Sequence, residues 1–247
     1  MVPFDVTAAK LAALLEALDR DTDFLGAAIA VPHKEAVARW LGERVTPEAA
    51  RIGAVNCLFR RDGRLWGTNT DGEAARVSLE RRVGGLLSEK RVLLLGPGGA
   101  GKAVAAFIVG GCRALFLVGR DAERTRAFAD RIGASSISVS ALDAQLPAVD
   151  VLVNCTSVGS AAAGTAELSP LSPAQIARLP DHALVFDIIY DPSPTRLLAL
   201  AAARGLATLD GTEMNLEQAA LAFGHAVPGT GTASDIHAAM AAAARRA

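Results

Sequence analysis

The chain has 247 residues, of which 51% are hydrophobic, and a formal net charge of -1. This length and composition allow one or two buried cores, so the number of domains has to be inferred from the motifs. Because the net charge is close to zero and the sequence contains no block of Lys or Arg, we expect no nucleic-acid partner and no anionic membrane partner, and a small molecule as the substrate.

The cysteines and histidines give no sign of a metal site. Cys57, Cys112 and Cys155 are far apart and form no C-x-x-C pair, which favours reduced thiols packed in the interior over a zinc site or a disulfide framework. No two histidines have the spacing of metal ligands, so no metal is expected. The N-terminus lacks a basic segment followed by an apolar core, which predicts a cytoplasmic protein without a membrane span.

The first third of the chain predicts a small α/β unit. Five elements are expected there: a helix over residues 7–18, a strand over 26–31, a helix over 34–41, and strands over 54–59 and 64–67. Thr7 is a candidate cap for the first helix. The last two strands are joined at Asp62 and Gly63, a pair that favours a tight hairpin turn.

The rest of the chain alternates strands with helices, which is typical of a parallel sheet. The expected elements are a helix from Glu73, a strand at 91–95, a helix at 103–110, strands at 114–118, 136–139, 149–154 and 183–189, a helix at 197–204, a strand at 207–209, and helices at 215–226 and 233–246.

The sequence GPGGAGK at residues 96–102 directly follows an apolar strand and fits two nucleotide-binding motifs. As G-x-G-x-x-G, it predicts a turn into a helix whose free amides accept a dinucleotide pyrophosphate. As G-x-x-x-x-G-K, it is nearly a P-loop, but Ala103 stands where a P-loop needs a hydroxyl to bind magnesium. The dinucleotide interpretation is therefore favoured over a triphosphatase.

Three residues that follow the predicted strand at 114–118 bear on the choice of cofactor. An acidic residue about 20 positions past the glycines would bind the adenosine ribose of NAD, whereas an arginine there would bind the 2′-phosphate of NADP. Arg120 and Asp121 are both at that place, and Arg124 adds a second cation. NADP is favoured and NAD is left open, as is the alternative that Arg120 and Asp121 only pair with each other at the surface.

Four further segments each lie at an end of a predicted strand: VPHK at residues 31–34, GAVN at 53–56, GTNTDG at 67–72 and DIIYDP at 187–192. The carboxyl ends of parallel strands share one edge of a sheet, which is where ligands bind. In this order, and on both sides of GPGGAG, the segments resemble the shikimate dehydrogenase family from about Phe4 to the C-terminus.

The resemblance implies a catalytic pair and a set of substrate-binding residues. Lys34 would act as the acid and base, and Asp71 would orient it and bind the substrate hydroxyl. Asn56, Tyr190 and Gln218 would bind the substrate. Each residue also has an ordinary structural interpretation: Lys34 as a solvated helix start, Asp71 as a turn residue and Gln218 as a helix-surface residue.

The resemblance also implies a cofactor site that extends beyond the glycine turn. The expected cofactor-binding residues are Gly96, Gly98, Gly99, Ala100, Gly101, Arg120, Asp121, Arg124, Thr156, Ser157 and Met214. Thr156 and Ser157 belong to a loop beside the cofactor, and Met214 would pack against the nicotinamide.

The chain departs from the family pattern in three places. The family's opening segment contains Ser-x-Ser, whose hydroxyls bind the substrate carboxylate, and this chain is expected to begin after it. Ala28 and Ala30 replace an amide and a hydroxyl ahead of the PHK turn. Gly119 and Asp121 replace Asn and Thr around Arg120. An exposed or re-paired edge of the small sheet is expected, and two alternatives are left open: a second subunit covers the edge, or the true N-terminus lies upstream.

Together these features predict a two-domain α/β protein with a Rossmann-like doubly wound parallel sheet and a smaller substrate domain. Residues 1–72 and the helices of 213–247 would form the substrate domain, 73–212 the Rossmann domain, and the active site would lie in the cleft between them. The expected function is an NADP-dependent oxidoreductase acting on shikimate, quinate or a related compound. The alternative is a dinucleotide-binding homologue that has lost catalysis.

Overall fold

The computed structural model describes residues 4–30 and 32–244. The chain folds into two compact units. The small unit comprises Met1–Thr70 and Gln218–Ala247, and the large unit comprises Asp71–Glu217.

Helices and strands are numbered here in chain order. The helices are α1 (Ala8–Arg20), α2 (Lys34–Leu41), α3 (Pro47–Ile52), α4 (Thr70–Arg82), α5 (Gly99–Ile108), α6 (Ala122–Ile132), α7 (Leu142–Gln145), α8 (Pro173–Ile176), α9 (Arg196–Ala203), α10 (Gly211–Ala226) and α11 (Ala233–Ala244). The strands are β1 (Gly26–Ala28), β2 (Cys57–Arg61), β3 (Arg64–Thr68), β4 (Arg91–Leu95), β5 (Ala114–Val118), β6 (Ser135–Ser136), β7 (Val151–Asn154), β8 (Leu184–Asp187) and β9 (Ala207–Leu209).

The small unit contains a three-stranded antiparallel sheet in the order β1-β2-β3. The predicted hairpin between β2 and β3 is confirmed, with Asp62 at φ 52° and Gly63 at φ 74°. Positive φ at both central residues is the type I′ geometry, which matches the twist of the flanking strands. β1 is shorter than the predicted strand and ends at Ala28, while Val31 lies outside the described residues.

A separate apolar core forms between this sheet and the first three helices. Its buried residues are Leu11, Leu15, Val37, Leu41, Ala49, Val55, Leu58 and Leu65. The leucine spacing that predicts α1 therefore reflects a face that packs on the sheet. Thr7 occupies the N-cap position of α1, but its side chain makes no capping hydrogen bond there.

Polar side chains connect the C-terminal end of α1 to the hairpin. Asp19 accepts hydrogen bonds from the Leu65 amide at 2.7 Å and from the Arg64 guanidinium at 2.9 and 3.1 Å. Arg44 forms an ion pair with the same carboxylate at 3.2 Å. The Arg60 guanidinium donates to the carbonyls of Phe24, Leu18, Asp19, Asp21 and Gly63. The bonds to Leu18 and Asp19 satisfy carbonyl groups that the last turn of α1 leaves without partners.

The large unit contains a six-stranded sheet in which every pair of neighbouring strands is parallel. The strand order is β6-β5-β4-β7-β8-β9, which is the doubly wound Rossmann order with its reversal between β4 and β7. Every residue of β7 and β8 is buried, as is typical of a parallel sheet covered on both faces. The predicted α/β fold class is confirmed.

Several predicted boundaries differ from the observed ones. The strand expected over residues 136–139 pairs only through Ser135 and Ser136, because the Ser138 hydroxyl accepts from the Ala141 amide and starts a 3-10 turn. The strand expected from Ala54 begins at Cys57. The helix predicted over 233–246 is described only as far as Ala244. Among the described residues, no helix has the length and apolar character needed to cross a membrane.

Candidate active site

The turn after β4 depends on glycine at two positions. Gly96 has φ +82°, a conformation that side chains rarely adopt. A Cβ atom on Gly101 would lie 2.2 Å from the Gly96 carbonyl oxygen, so only glycine allows the helix to start this close to the strand. The first and third glycines of a dinucleotide-binding turn have these same two roles, a tight turn and close helix–strand packing.

The middle glycines of the turn are free of such constraints. A Cβ on Gly98 or Gly99 would meet no atom of the protein within 4 Å, and neither residue has a positive φ. The open space lies at the N-terminus of α5, where amides have no partner within the helix and the helix dipole favours an anion. The turn therefore fits a pyrophosphate that approaches the backbone closely. Ala103 is buried, which leaves the P-loop interpretation without a metal-binding group.

The loop after β5 lies next to this turn. A Cβ on Gly119 would lie 3.1 Å from Pro97 Cδ and 2.2 Å from Thr125 Oγ1. Arg120 directly follows and is exposed. Arg120, Asp121 and Arg124 are the three residues predicted to bind the adenosine half of the cofactor. Asp121 and Arg124 lie at the start of α6, and Arg120 directly precedes them.

The Asp121 carboxylate is already used within the protein. It is the N-cap of α6, accepts from the Arg124 amide at 3.0 Å, and lies 4.0 Å from the Arg124 guanidinium. Asp121 therefore pairs with Arg124 and not with Arg120. Within the described part of the chain, the Arg120 guanidinium takes part in no ion pair.

A third loop follows β7 and is called here the cofactor loop, residues 155–159. A Cβ on Gly96 would lie 2.6 Å from Thr156 Cγ2, so the loop packs against the glycine turn. Asn154 shapes it: its side-chain oxygen accepts from the Thr156 amide at 3.0 Å and the Thr156 hydroxyl at 2.7 Å. Ser157 is the exposed residue of the loop.

Behind Asn154 lies a buried carboxylate that belongs to the DIIYDP segment but was not among the predicted site residues. Asp187, at the end of β8, accepts from Asn154 Nδ2 at 3.0 Å, the Thr195 hydroxyl at 2.8 Å and the Ile189 amide at 3.1 Å. Burial raises the pKa of the Asp187 carboxyl above its ordinary value, while the three hydrogen bonds oppose that rise. The signal that could have identified it is an acidic residue within a predicted buried strand, directly after an apolar run.

The remaining predicted residues of the large unit are placed as follows. Met214 is buried in α10, and Tyr190, after β8, is 60% exposed. Cys155 is partly buried, and desolvation of its thiol, with a smaller contribution from the charge of Asp187, raises the pKa of the thiol. Asp71 is the second residue of α4, where the helix dipole favours a carboxylate, and it is partly buried.

The small unit contains a polar cluster formed by the buried residues Asn56 and Thr70 and the partly buried Gln218. The Asn56 oxygen accepts from the Thr70 amide at 2.7 Å, and its Nδ2 lies 3.2 Å from the Thr70 hydroxyl. Gln218 Nε2 donates to the same hydroxyl at 3.3 Å. Two predicted substrate-binding amides are thus brought together by Thr70, a residue that was not predicted from the sequence.

Lys34 is the first residue of α2 and is partly buried. Its carbonyl oxygen accepts from the Val55 amide at 3.0 Å, and Val55 is the residue before Asn56, so this bond fixes the start of α2 beside the polar cluster. The pairing of Lys34 with Asp71 stays a prediction. Ala28 and Ala30 are exposed on the segment that leads towards Lys34 and offer no polar side chain there.

Known proteins share both parts of this arrangement. Residues 1–58 match the shikimate dehydrogenase substrate binding domain family, and residues 78–190 match the shikimate / quinate 5-dehydrogenase family. The shikimate dehydrogenase (NADP(+)) of Thermosynechococcus vestitus is 37% identical over 226 residues, which cover 90% of this chain and 77% of that protein.

Solved structures agree with this match. A crystal structure of shikimate 5-dehydrogenase from Thermus thermophilus, in complex with NADP(H) and shikimate, is 33% identical with a TM-score of 0.80, covering 97% of this chain and 86% of that one. The ligand-free 5-ketofructose reductase of Gluconobacter sp. strain CHM43 is 29% identical with a TM-score of 0.81 over 97% and 86%. The chain belongs to the shikimate dehydrogenase family.

Proposed function

We propose that the protein is an NADP-dependent oxidoreductase that interconverts shikimate and 3-dehydroshikimate, or a closely related hydroxylated cyclohexene or cyclohexane carboxylate. The main support is that one chain contains a dinucleotide-type glycine turn and a separate cluster of amides and a hydroxyl suited to a polyol. Relatives that cover most of this chain are named shikimate dehydrogenase (NADP(+)). In this proposal, residues 1–72 and 213–247 bind the substrate and 73–212 bind the cofactor.

The glycine turn would hold the pyrophosphate of NADP, and the cofactor loop with Met214 would border its nicotinamide half. When bound, NADP supplies the hydride acceptor, and NADPH the hydride donor, for the carbon that bears the reacting oxygen. The amides at the start of α5 neutralise part of the pyrophosphate charge. Buried Ala103 leaves no group to bind a nucleoside-triphosphate magnesium ion.

Arg120 would favour NADP over NAD. Its exposed guanidinium can form two parallel hydrogen bonds to a 2′-phosphate, which a ribose hydroxyl cannot match. Asp121 is bonded to the amide and close to the guanidinium of Arg124, so Arg124 offsets the charge of the carboxylate beside the phosphate. A homodimer and the cytoplasm as the site of action are parts of the same proposal.

Lys34 and Asp71 would handle the proton. During reduction of the ketone, the Lys34 ammonium donates its proton to the carbonyl oxygen as the hydride reaches the carbon; during oxidation, the neutral amine removes the hydroxyl proton. Asp71 would orient Lys34 and accept a hydrogen bond from the substrate hydroxyl. This role requires that groups from both units act on one substrate.

The polar cluster of the small unit would recognise neighbouring ring hydroxyls. An amide side chain both donates and accepts, so Asn56 and Gln218 can each complement a hydroxyl. Thr70 keeps the two amides in fixed orientations through bonds of 2.7 to 3.3 Å. Because Thr70 is itself fully buried, we assign it as a positioning residue for the two substrate-binding amides.

A second candidate is a dinucleotide-binding homologue without catalysis, and Ala28 and Ala30 favour it. Each methyl group stands where a donor to the substrate carboxylate is expected, and each missing bond to a charged group costs about 1.5–3 kcal/mol. That loss corresponds to at least about tenfold in affinity per bond. Titration calorimetry separates the two candidates, because a binding module takes up NADP and ignores shikimate.

Lys34→Ala tests the catalytic proposal. Shikimate oxidation, followed by the absorbance of NADPH, should fall below detection, since no other group is proposed to move the proton. NADPH binding should stay unchanged. Lys10→Ala, which removes an exposed lysine from α1, is the matched control and should keep full activity. Full turnover in Lys34→Ala would contradict the proposed acid and base.

A further inference from the structure

The buried carboxylate of Asp187 and the amide of Asn154 form a hydrogen-bonded pair between the ends of two neighbouring strands. Asn154 ends β7, Asp187 ends β8, and the two residues are directly opposite each other in the parallel register. Both side chains are fully buried. Burying this polar pair costs desolvation free energy that an apolar pair would not cost. We therefore ask what the pair contributes beyond stability.

The carboxylate determines which way the amide points. An ionised carboxylate only accepts hydrogen bonds, so the NH2 group of Asn154 must face Asp187, and the Asn154 oxygen must face the other side. That oxygen accepts from the amide and the hydroxyl of Thr156. The same NH2 group also donates to the Val158 carbonyl at 3.3 Å. Through one amide, Asp187 thereby fixes both ends of the cofactor loop.

The other side of Asp187 is fixed as well. Its second oxygen accepts from the Thr195 hydroxyl, which also accepts from the Leu198 amide as the N-cap of α9. The Ile189 amide donates to the oxygen that faces Asn154. The carboxylate is therefore held by a helix start and by the backbone, and it is a rigid support for Asn154.

The place of the cofactor loop in the sheet indicates what it supports. A dinucleotide lies across the carboxyl ends of the strands where their order reverses, here between β4 and β7. Arg120 lies on the β5 side of that point, which is the adenosine side. The cofactor loop follows β7 on the opposite side, and this is the side that receives the nicotinamide half.

We infer that Asp187 is a positioning residue that, through Asn154, sets the shape of the cofactor loop and thereby places the nicotinamide half of NADP. This inference rests on the proposed function, since it assumes that NADP binds at the glycine turn. It predicts a selective defect: loss of Asp187 weakens contacts to the nicotinamide half and leaves contacts to the adenosine 2′-phosphate half.

The test compares two ligands in the full chain. NADPH contains both halves of the cofactor, whereas adenosine 2′,5′-bisphosphate has the 2′-phosphate and adenosine but no nicotinamide. Asp187→Ala should raise the Kd for NADPH about tenfold and change that of the bisphosphate less than about twofold. The kcat should fall about 10- to 100-fold because the reacting carbon is misplaced. Asp187→Asn, whose oxygen can still accept from Asn154, should recover most of the NADPH affinity.

Asp150→Ala is the matched control. Asp150 lies just before β7, at the amino-terminal ends of the strands and so away from the cofactor loop. Its carboxylate accepts from the Arg91 amide at 2.7 Å and from His182 at 2.9 Å. Like Asp187→Ala, Asp150→Ala removes a carboxylate that accepts hydrogen bonds from a backbone amide and from a side chain. It should lower the thermal midpoint but leave both ligand affinities unchanged.

Equal weakening of both ligands in Asp187→Ala, or the same selective loss in Asp150→Ala, would overturn the inference. If Asp187→Ala does not fold, Thr156→Val takes its place. This variant removes only the hydroxyl that donates to Asn154 and accepts from the Val158 amide. Unchanged NADPH affinity in Thr156→Val would then overturn the inference. A wild-type protein that binds NADPH but does not oxidise shikimate would refute the proposed substrate alone. Failure to bind NADPH would refute both proposals.

Discussion

The glycines of the turn after β4 fall into two kinds at the level of single residues. Gly96 and Gly101 are required by the backbone, through a positive φ and a 2.2 Å approach. Gly98 and Gly99 are not required by the fold, because an added Cβ would meet open space. A glycine that folding does not need, at the start of a helix, indicates room reserved for a ligand.

Gly98→Ala should therefore separate folding from binding. Its free energy of unfolding should fall by no more than about 1 kcal/mol, the effect of alanine at an N-cap. The NADPH affinity should fall about tenfold or more, because the methyl group occupies the space where the pyrophosphate approaches. Fluorescence titration of NADPH and urea unfolding measure the two effects.

Gly110→Ala is the control for this prediction. Gly110 also has no positive φ, and its added Cβ would meet no atom within 4 Å, but it follows the other end of α5. Neither stability nor NADPH affinity should decrease there. Wild-type NADPH affinity in Gly98→Ala would contradict the assignment of the cofactor to this turn.

The candidate site residues differ in how far the sequence alone could point to them. Asn56 and Gln218 are 162 positions apart in the sequence, and only the resemblance to a family linked them. Thr70 and Asp187 were missed because threonine and aspartate have many ordinary roles in turns and caps. Their hydrogen-bond partners lie on distant segments, and no local pattern records such partners.

At the level of elements, strands in the large sheet were predicted more closely than helix starts. β4, β5 and β9 have the predicted bounds, because buried parallel strands are continuous apolar runs. α5 and α10 begin four residues before their predicted starts, at Gly99 and Gly211, since glycine and polar residues obscure the first helical turn. α3 was missed, although Thr46 and Pro47 form a recognisable helix start.

The connection between α1 and the hairpin gives a prediction about pH. Burial alone would raise the pKa of Asp19, but the bonds from Arg64 and Leu65 and the charge of Arg44 together lower it. A lowered pKa means that Asp19 contributes stability in full above its ordinary pKa of 3.8, and that this contribution is lost as the pH falls through the lower pKa of the folded state.

Asp19→Ala should lower the free energy of unfolding at pH 7 by about 1.5–3 kcal/mol, because a charged acceptor of several hydrogen bonds is removed. The difference from wild type should shrink below about pH 4, where Asp19 of the unfolded chain begins to be protonated while that of the folded protein is still ionised. Urea unfolding at both pH values measures this. Asp23→Ala, an exposed neighbour, should show no loss, and a difference independent of pH would contradict the role of the carboxylate.

At the level of the whole molecule, the two units differ in how the chain builds them. The large unit is one continuous segment, Asp71–Glu217, and contains its own buried core around β4, β7, β8 and α9. The small unit is assembled from the two ends of the chain. The alternation of predicted elements indicated a parallel sheet, but the contribution of the C-terminal helices to the small unit rested on the family resemblance.

A segment with its own core and sheet is expected to fold alone. Residues 71–217 expressed separately should give a cooperative thermal transition and bind NADPH, while showing no affinity for shikimate. Circular dichroism and calorimetry measure the two properties. A segment that stays unfolded would show that its core depends on the remaining residues, and one that binds shikimate would contradict the substrate assignment.

The turn after β4 presents backbone amides and glycines, so it tolerates substitution at some positions and not at others. Most substitutions around the turn after β4 leave the amides where they are, whereas a single methyl group at Gly96 or Gly101 distorts them. The polar cluster at Thr70, by contrast, is built from side chains that mutation can exchange one at a time. If the cluster selects the substrate and the turn binds NADP, as proposed above, descendants of this chain can change their substrate while they keep the same cofactor.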